Sequence, residues 1–166
     1  MRIIGIDPGT AILGWGVLDS TAGTPTAVGY GAITTPAKQP APERLLVLHR
    51  ELSALLAQHR PAAAAVEELF FSRNVTTALA VGQARGVVLL ALAQAGIPIF
   101  EYKPLVVKQA VVGYGGADKR QMQEMVRLTL SLPTAPRPDD VADALAIALC
   151  HAYNAPMLAR VQAAEG

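Results

Sequence analysis

Three acidic positions stand where carboxylates can do chemistry. Asp7 closes a short β-branched run, Arg2-Ile-Ile-Gly-Ile-Asp7, and precedes Pro8-Gly9. Glu67 and Glu68 lie near the end of a second apolar run, Ala62 to Leu69. Asp139, Asp140 and Asp143 follow a proline-rich loop, Pro133 to Pro138, and open an apolar stretch of helical character. Hard divalent cations such as Mg²⁺ take carboxylate oxygens and keep several waters. Two such ions about 4 Å apart activate a water and stabilise the leaving oxygen of a phosphodiester. Four carboxylates, two from strands and two from a helix, would hold such a pair.

Each acid also has a plainer role. Asp before Pro-Gly forms turns by hydrogen-bonding its own following backbone. Against that, Gly5-Ile-Asp-Pro-Gly-Thr10 and Gly14-Trp-Gly16 surround Asp7 with small residues, so that a phosphate or metal can approach closely. Adjacent strand residues point to opposite faces, so at most one of Glu67 and Glu68 shares a face with Asp7, and spacing does not say which. Asp140 and Asp143 are three apart and fall on one helical face. Asp-x-x-Asp at a helix start also resembles a capping box and suits the positive end of the dipole. Capping explains one aspartate well. It explains three in five positions less well, because like charges repel unless a cation sits between them.

The elements that must position these acids are legible in outline. Strands are expected over Arg2–Asp7, Gly14–Leu18, around Ile33, over Ala62–Leu69 and over Ile97–Tyr102. Leu45, Leu48, Leu52, Leu55 and Leu56 recur at helical spacing, which predicts an amphipathic helix over Pro42–His59. Further helices are expected over Asn74–Ala95, Pro104–Val112, Asp118–Leu130 and Asp139–Tyr153. Early strands followed by alternating strands and helices give an α/β single domain, a mixed sheet flanked by helices. Residues 1–155 would form it, with 156–166 a short flexible tail.

Composition narrows the class. The 166-residue chain is 52% hydrophobic, but 30 of its residues are alanine, so much of that figure is small side chains. A single cysteine, Cys150, excludes an internal disulfide framework and any cysteine-only zinc site. The longest uninterrupted apolar runs, Val87–Ala93 and Ala144–Cys150, fall far short of the ~18 residues that span a bilayer, and Asp7 interrupts any secretory signal. The reading is a soluble cytoplasmic protein without a membrane partner. Net charge is +1, yet setting four of the 13 acids aside in a pocket leaves 14 basic residues against nine acidic ones. A mildly basic surface around an acidic pocket draws in a phosphate backbone.

Other residues fit that partner. Phe70, Phe71, Arg73 and Asn74 follow the acidic strand, and exposed aromatics beside cations stack on unpaired bases. Lys108 and Lys119 flank Gly113-Tyr114-Gly-Gly116, and Lys119 with Arg120 at a helix start opposes the dipole, which points to an anion nearby. Ala78, Gly82 and Gly86 recur every four residues on a long helix. Two interior glycines cost about 1 kcal/mol each, so something packs closely there, either the helix's own sheet or a two-fold partner.

Taken in order, Gly-Ile-Asp7-Pro-Gly, Ala65-Val-Glu-Glu-Leu-Phe-Phe71, Gly82-Gln-Ala-Arg-Gly86, Val107-Lys-Gln-Ala-Val-Val-Gly113 and Ala142-Asp-Ala-Leu-Ala-Ile-Ala148 resemble the RuvC-type crossover-junction endodeoxyribonucleases. The likeness runs from residue 2 to about 153. It implies a ribonuclease-H-like fold, a homodimer, and Mg²⁺-dependent paired cleavage of four-way DNA junctions beside branch-migration proteins of the RuvA and RuvB type, with Mn²⁺ as a substitute metal. It selects Asp7, Glu67, Asp140 and Asp143 as catalytic metal ligands. It also places Lys108 and Lys119 near the scissile strand and Phe70 at the junction centre. The chain departs from the pattern in carrying Glu68 beside Glu67 and Asp139 beside Asp140. Two other readings come from other classes: a non-catalytic junction-binding module, which leaves the acids without purpose, and an actin-like kinase using Asp7-x-Gly-Thr10, which needs two lobes where this length holds one.

Overall fold

Short β-branched runs build the centre of the molecule. A computed structural model describes residues 1–21, 23–68 and 74–165, apart from the side chains of 158, 159 and 161–165. Its strands are β1 (Arg2–Asp7), β2 (Ile12–Asp19), β3 (Thr26–Thr34), β4 (Ala63–Glu67) and β5 (Ile99–Tyr102). Among the described residues they form one sheet in the order β3-β2-β1-β4-β5. β1, β2 and β3 are antiparallel neighbours, whereas β4 pairs parallel with both β1 and β5. Parallel neighbours need long crossovers. α1 (Ala41–His59) supplies the one before β4, and α2 (Val75–Gln94) the one between β4 and β5. The expected mixed sheet flanked by helices is thus the observed one.

Alternation along the strands sorts the core into two layers. Ile4, Ile6, Leu13 and Val17 pack under Leu48, Leu52 and Leu56 of α1 and Ala84, Val88 and Leu92 of α2. Ile3, Leu18 and Ala65 face the opposite way, against α3 (Pro104–Val112), α4 (Lys119–Thr129) and above all α5 (Asp139–Glu165). Each fully buried Leu, Ile or Val contributes roughly 1.5–3 kcal/mol. α5 lies across β1 and β2 because three glycines clear its path. A Cβ at Gly5 would overlap the Ala144 carbonyl, one at Gly14 the Asp140 carbonyl, and one at Gly16 the Leu145 side chain.

The structure departs from expectation in three places. α5 continues past Tyr153 and through Pro156 to Glu165. A proline removes one intrahelical bond, and the good helix formers after it carry the helix on. β5 begins at Ile99 because the Ile97 N–H donates instead to Leu92 O, closing α2. Counting uninterrupted runs also missed that α2 is long and apolar enough to cross a membrane, with a mean hydropathy of 1.6. Gln83 and Arg85 interrupt it, and its inner face is spent on the α1 and sheet layer.

Candidate active site

The site grows from the ends of two neighbouring parallel strands. Ile3 belongs to the α5-side core and Gly5 lies beneath α5, so Asp7, two residues further, points to the same side. Ala65 belongs to that core too, which puts Glu67 on the shared face. Ile6 is in register with Val66, so the strands deliver Asp7 and Glu67 side by side. Glu68 lies past the end of β4, its N–H donating to Tyr102 O at 2.9 Å. The turn after Asp7 is tied down: the Thr10 hydroxyl donates to Ala80 O at 2.9 Å, and Thr35 Oγ1 donates to Thr10 O at 2.6 Å.

α5 brings the third element. Gly14 is the cross-strand partner of Asp7, and the main chain of Asp140 rests on Gly14. The first turn of α5 therefore stands over the end of β1. Asp7, Glu67 and Asp143 line a cleft of about 290 Å³ together with Lys108 of α3 and Lys119 of α4; Val107, Met122 and Ile147 supply its apolar wall.

The electrostatics follow from that crowding. Burial, then the charges of Asp143, Glu67 and Asp140, push the Asp7 carboxyl from 3.8 up to about 8, with Lys119 opposing. Burial and Asp143 raise Glu67, and Lys108 counters them. Burial raises Asp143, as do Asp140 and Asp139, while Lys119 lowers it. Carboxylates placed so close to one another hold protons or a cation. Lys119 provides one such cation, its Nζ lying 3.8 Å from Asp143 Oδ2 and 3.3 Å from Asp139 Oδ2. Among the described residues, no three acid, histidine or cysteine side chains are yet gathered around one point as they lie. The donor set is nonetheless all hard oxygen, partly buried and mutually repelling, which fits a divalent cation better than bare anions.

The remaining expectations fall as follows. Asn74 caps α2, its side-chain oxygen accepting from the N–H groups of Thr76 and Thr77 at 3.1 and 3.3 Å. Tyr114 is exposed on the glycine loop, and Arg120 is exposed at the start of α4. Phe70 and Arg73 lie outside the described residues. On α2, Ala78 and Gly82 are half-buried, and Gly86 is exposed with open space where its Cβ would project. At Gly86, then, the stripe does not pack on its own sheet. The sequence missed two participants: Thr10, whose place after Asp-Pro-Gly was the available signal, and Asp139 as the partner of Lys119, for which no local signal exists.

A mixed sheet of this order, with a carboxylate cleft where β1 and β4 end beneath a helix start, defines a nuclease of the ribonuclease-H-like class. The family model for the crossover junction endodeoxyribonuclease RuvC matches residues 3–151. The chain belongs to that family and is an endonuclease. The RuvC of Chloroflexus aggregans is 69% identical over 96% of this chain and 98% of its own length. That of Roseiflexus sp. is 66% identical over 97% of this chain and 96% of its own. The structure of Thermus thermophilus RuvC in complex with a Holliday junction substrate superposes with a TM-score of 0.89, at 44% identity over 95% of this chain and 96% of that one. Membership implies chemistry that uses a divalent metal.

Proposed function

We propose that this endonuclease resolves four-way Holliday junctions in the cytoplasm, during homologous recombination and repair, by paired symmetric hydrolysis as a Mg²⁺-dependent homodimer. The observation that carries the reading is the one cleft on which Asp7, Glu67 and Asp143 stand together with Lys108 and Lys119, a crowding that pushes the Asp7 carboxyl up. A cleft that acidic repels DNA unless cations fill it, and the junction in the Thermus thermophilus RuvC complex supports the substrate.

Asp7, Glu67, Asp140 and Asp143 would hold two Mg²⁺ ions, for which Mn²⁺ can substitute. When bound, the metal lowers the pKa of a water and stabilises charge on the leaving oxygen. Asp7 and Glu67, on rigid strand ends, fix the attack geometry against the scissile phosphate. Lys108 and Lys119 bind that phosphate and offset the charge that develops on it. Phe70 stacks on unpaired bases at the crossover. Arg73, Asn74, Tyr114 and Arg120 contact the arms. Two opposed cuts need two sites, and a four-way junction can adopt two-fold symmetry, so a dimer through the Ala78, Gly82 and Gly86 stripe suits the substrate. Branch-migration proteins of the RuvA and RuvB type would deliver the junction.

Cleavage of a synthetic four-way junction, compared with linear duplex of the same sequence and with a chelator control, tests the reading. Wild type should cut the junction only with Mg²⁺, and Asp7→Asn should bind it without cutting. Normal cleavage by Asp7→Asn refutes the assignment.

A further inference from the structure

Asp139 stands beside Asp140 at the start of α5, yet its carboxylate is occupied from other directions. Arg137 Nη1 donates to Asp139 Oδ1 at 2.8 Å, and Lys119 Nζ lies 3.3 Å from Oδ2. Asp7, Glu67 and Asp143 line the cleft, whereas neither Asp139 nor Asp140 does. The ammonium that Asp139 holds is the one 3.8 Å from Asp143 Oδ2. Lysine carries its charge on a flexible four-carbon stem, and an ammonium needed at one phosphate works best when something fixes it.

We infer that Asp139 is a positioning residue for Lys119, anchoring its ammonium at the edge of the carboxylate cleft where the scissile phosphate must lie. Arg137 holds Asp139 in turn, so the first aspartate of the Asp139-Asp140 pair faces a lysine rather than a metal. The inference rests on the proposed hydrolytic role of the cleft. It gives the adjacent aspartates different roles. The charge of Asp140 reaches Asp7, and both aspartates act on Asp143, but Asp139 is the one paired with the cations of α4 and the preceding loop.

Single-turnover cleavage of a synthetic four-way junction by the full-length protein tests it, with Asp139→Asn, Lys119→Ala, the double variant and Asp7→Asn run in parallel. Asp139→Asn should slow cleavage about 10- to 100-fold, leaving junction affinity and the Mg²⁺ concentration for half-maximal rate unchanged. In the Lys119→Ala background the same substitution should cost nothing further, because both changes remove one interaction. Asp139→Glu should recover part of the rate. A wild-type rate for Asp139→Asn, losses that add to those of Lys119→Ala, or a raised Mg²⁺ requirement would each overturn the inference. Should Asp139→Asn unfold, Arg137→Gln carries the same test, with a smaller loss that also vanishes in the Lys119→Ala background. Normal cleavage by Asp7→Asn would instead mark failure of the underlying reading.

Discussion

The main chain of Asp140 rests on Gly14, whose partner across the β1–β2 ladder is Asp7. That contact sets the height of the α5 start above the strand end carrying the Asp7 carboxylate. Gly16, two residues on and on the same side of β2, clears the Leu145 side chain. Gly14→Ala forces a methyl against backbone, so α5 must shift rather than a side chain turn. The expected cost is about 1–3 kcal/mol of stability, with a larger proportional loss of cleavage. Chemical denaturation and single-turnover cleavage check both; a variant with wild-type activity would mean that the α5 start does not set the site.

The metal-free protein should lose stability as pH rises. The Asp7 carboxyl moves from 3.8 to about 8 on folding, so the folded chain keeps a proton that the unfolded chain releases. Its contribution is complete below the unfolded value and is lost as pH climbs through the folded one. Glu67 and Asp143, raised in the same direction, add to the slope. Asp7→Asn removes the largest part, so in chelator it should be the more stable protein at about pH 8. Adding Mg²⁺ should then stabilise wild type more than the variant. Urea midpoints across the pH range decide the matter, and parallel curves for the two proteins would contradict it.

Glu67→Gln and Glu68→Gln should behave differently although the residues are adjacent. Glu67 shares the α5-side face with Asp7 and lines the cleft, while the Glu68 main chain is engaged with Tyr102 beyond the strand. Cleavage should collapse in the first variant and stay near wild type in the second. The reverse outcome would mean that the strand parity is wrong.

Gly86→Arg probes the proposed dimer. Nothing stands where a Cβ would project, so the monomer accepts the side chain and gains about 1 kcal/mol of helix propensity. Dimerisation, followed by sedimentation, should be lost together with paired cutting. A dimer that persists in Gly86→Arg would move the interface off this stripe.

Local chemistry made much of this legible from the chain alone. The bounds of α3 agree with expectation because Pro104 opens it and Gly113, at φ 91°, closes it in the left-handed region. α4 begins where Asp118 forms a capping box with Gln121. Acids at the ends of apolar runs drew attention to Asp7 and to Glu67 or Glu68, and acids at a helix start to Asp139, Asp140 and Asp143. Such signals act over a few residues, through dihedral preference and near hydrogen bonds, and they were enough for the elements and the candidate carboxylates. The choice between Glu67 and Glu68 needed something else: knowledge of which face of the sheet α5 covers. The pairing of Asp139 with Lys119 needed α4 to be packed beside the α5 start. Those relations depend on how whole elements pack against one another. They are settled by strand order and by the glycines that let α5 sit down on β1 and β2, which no window of neighbouring residues encodes.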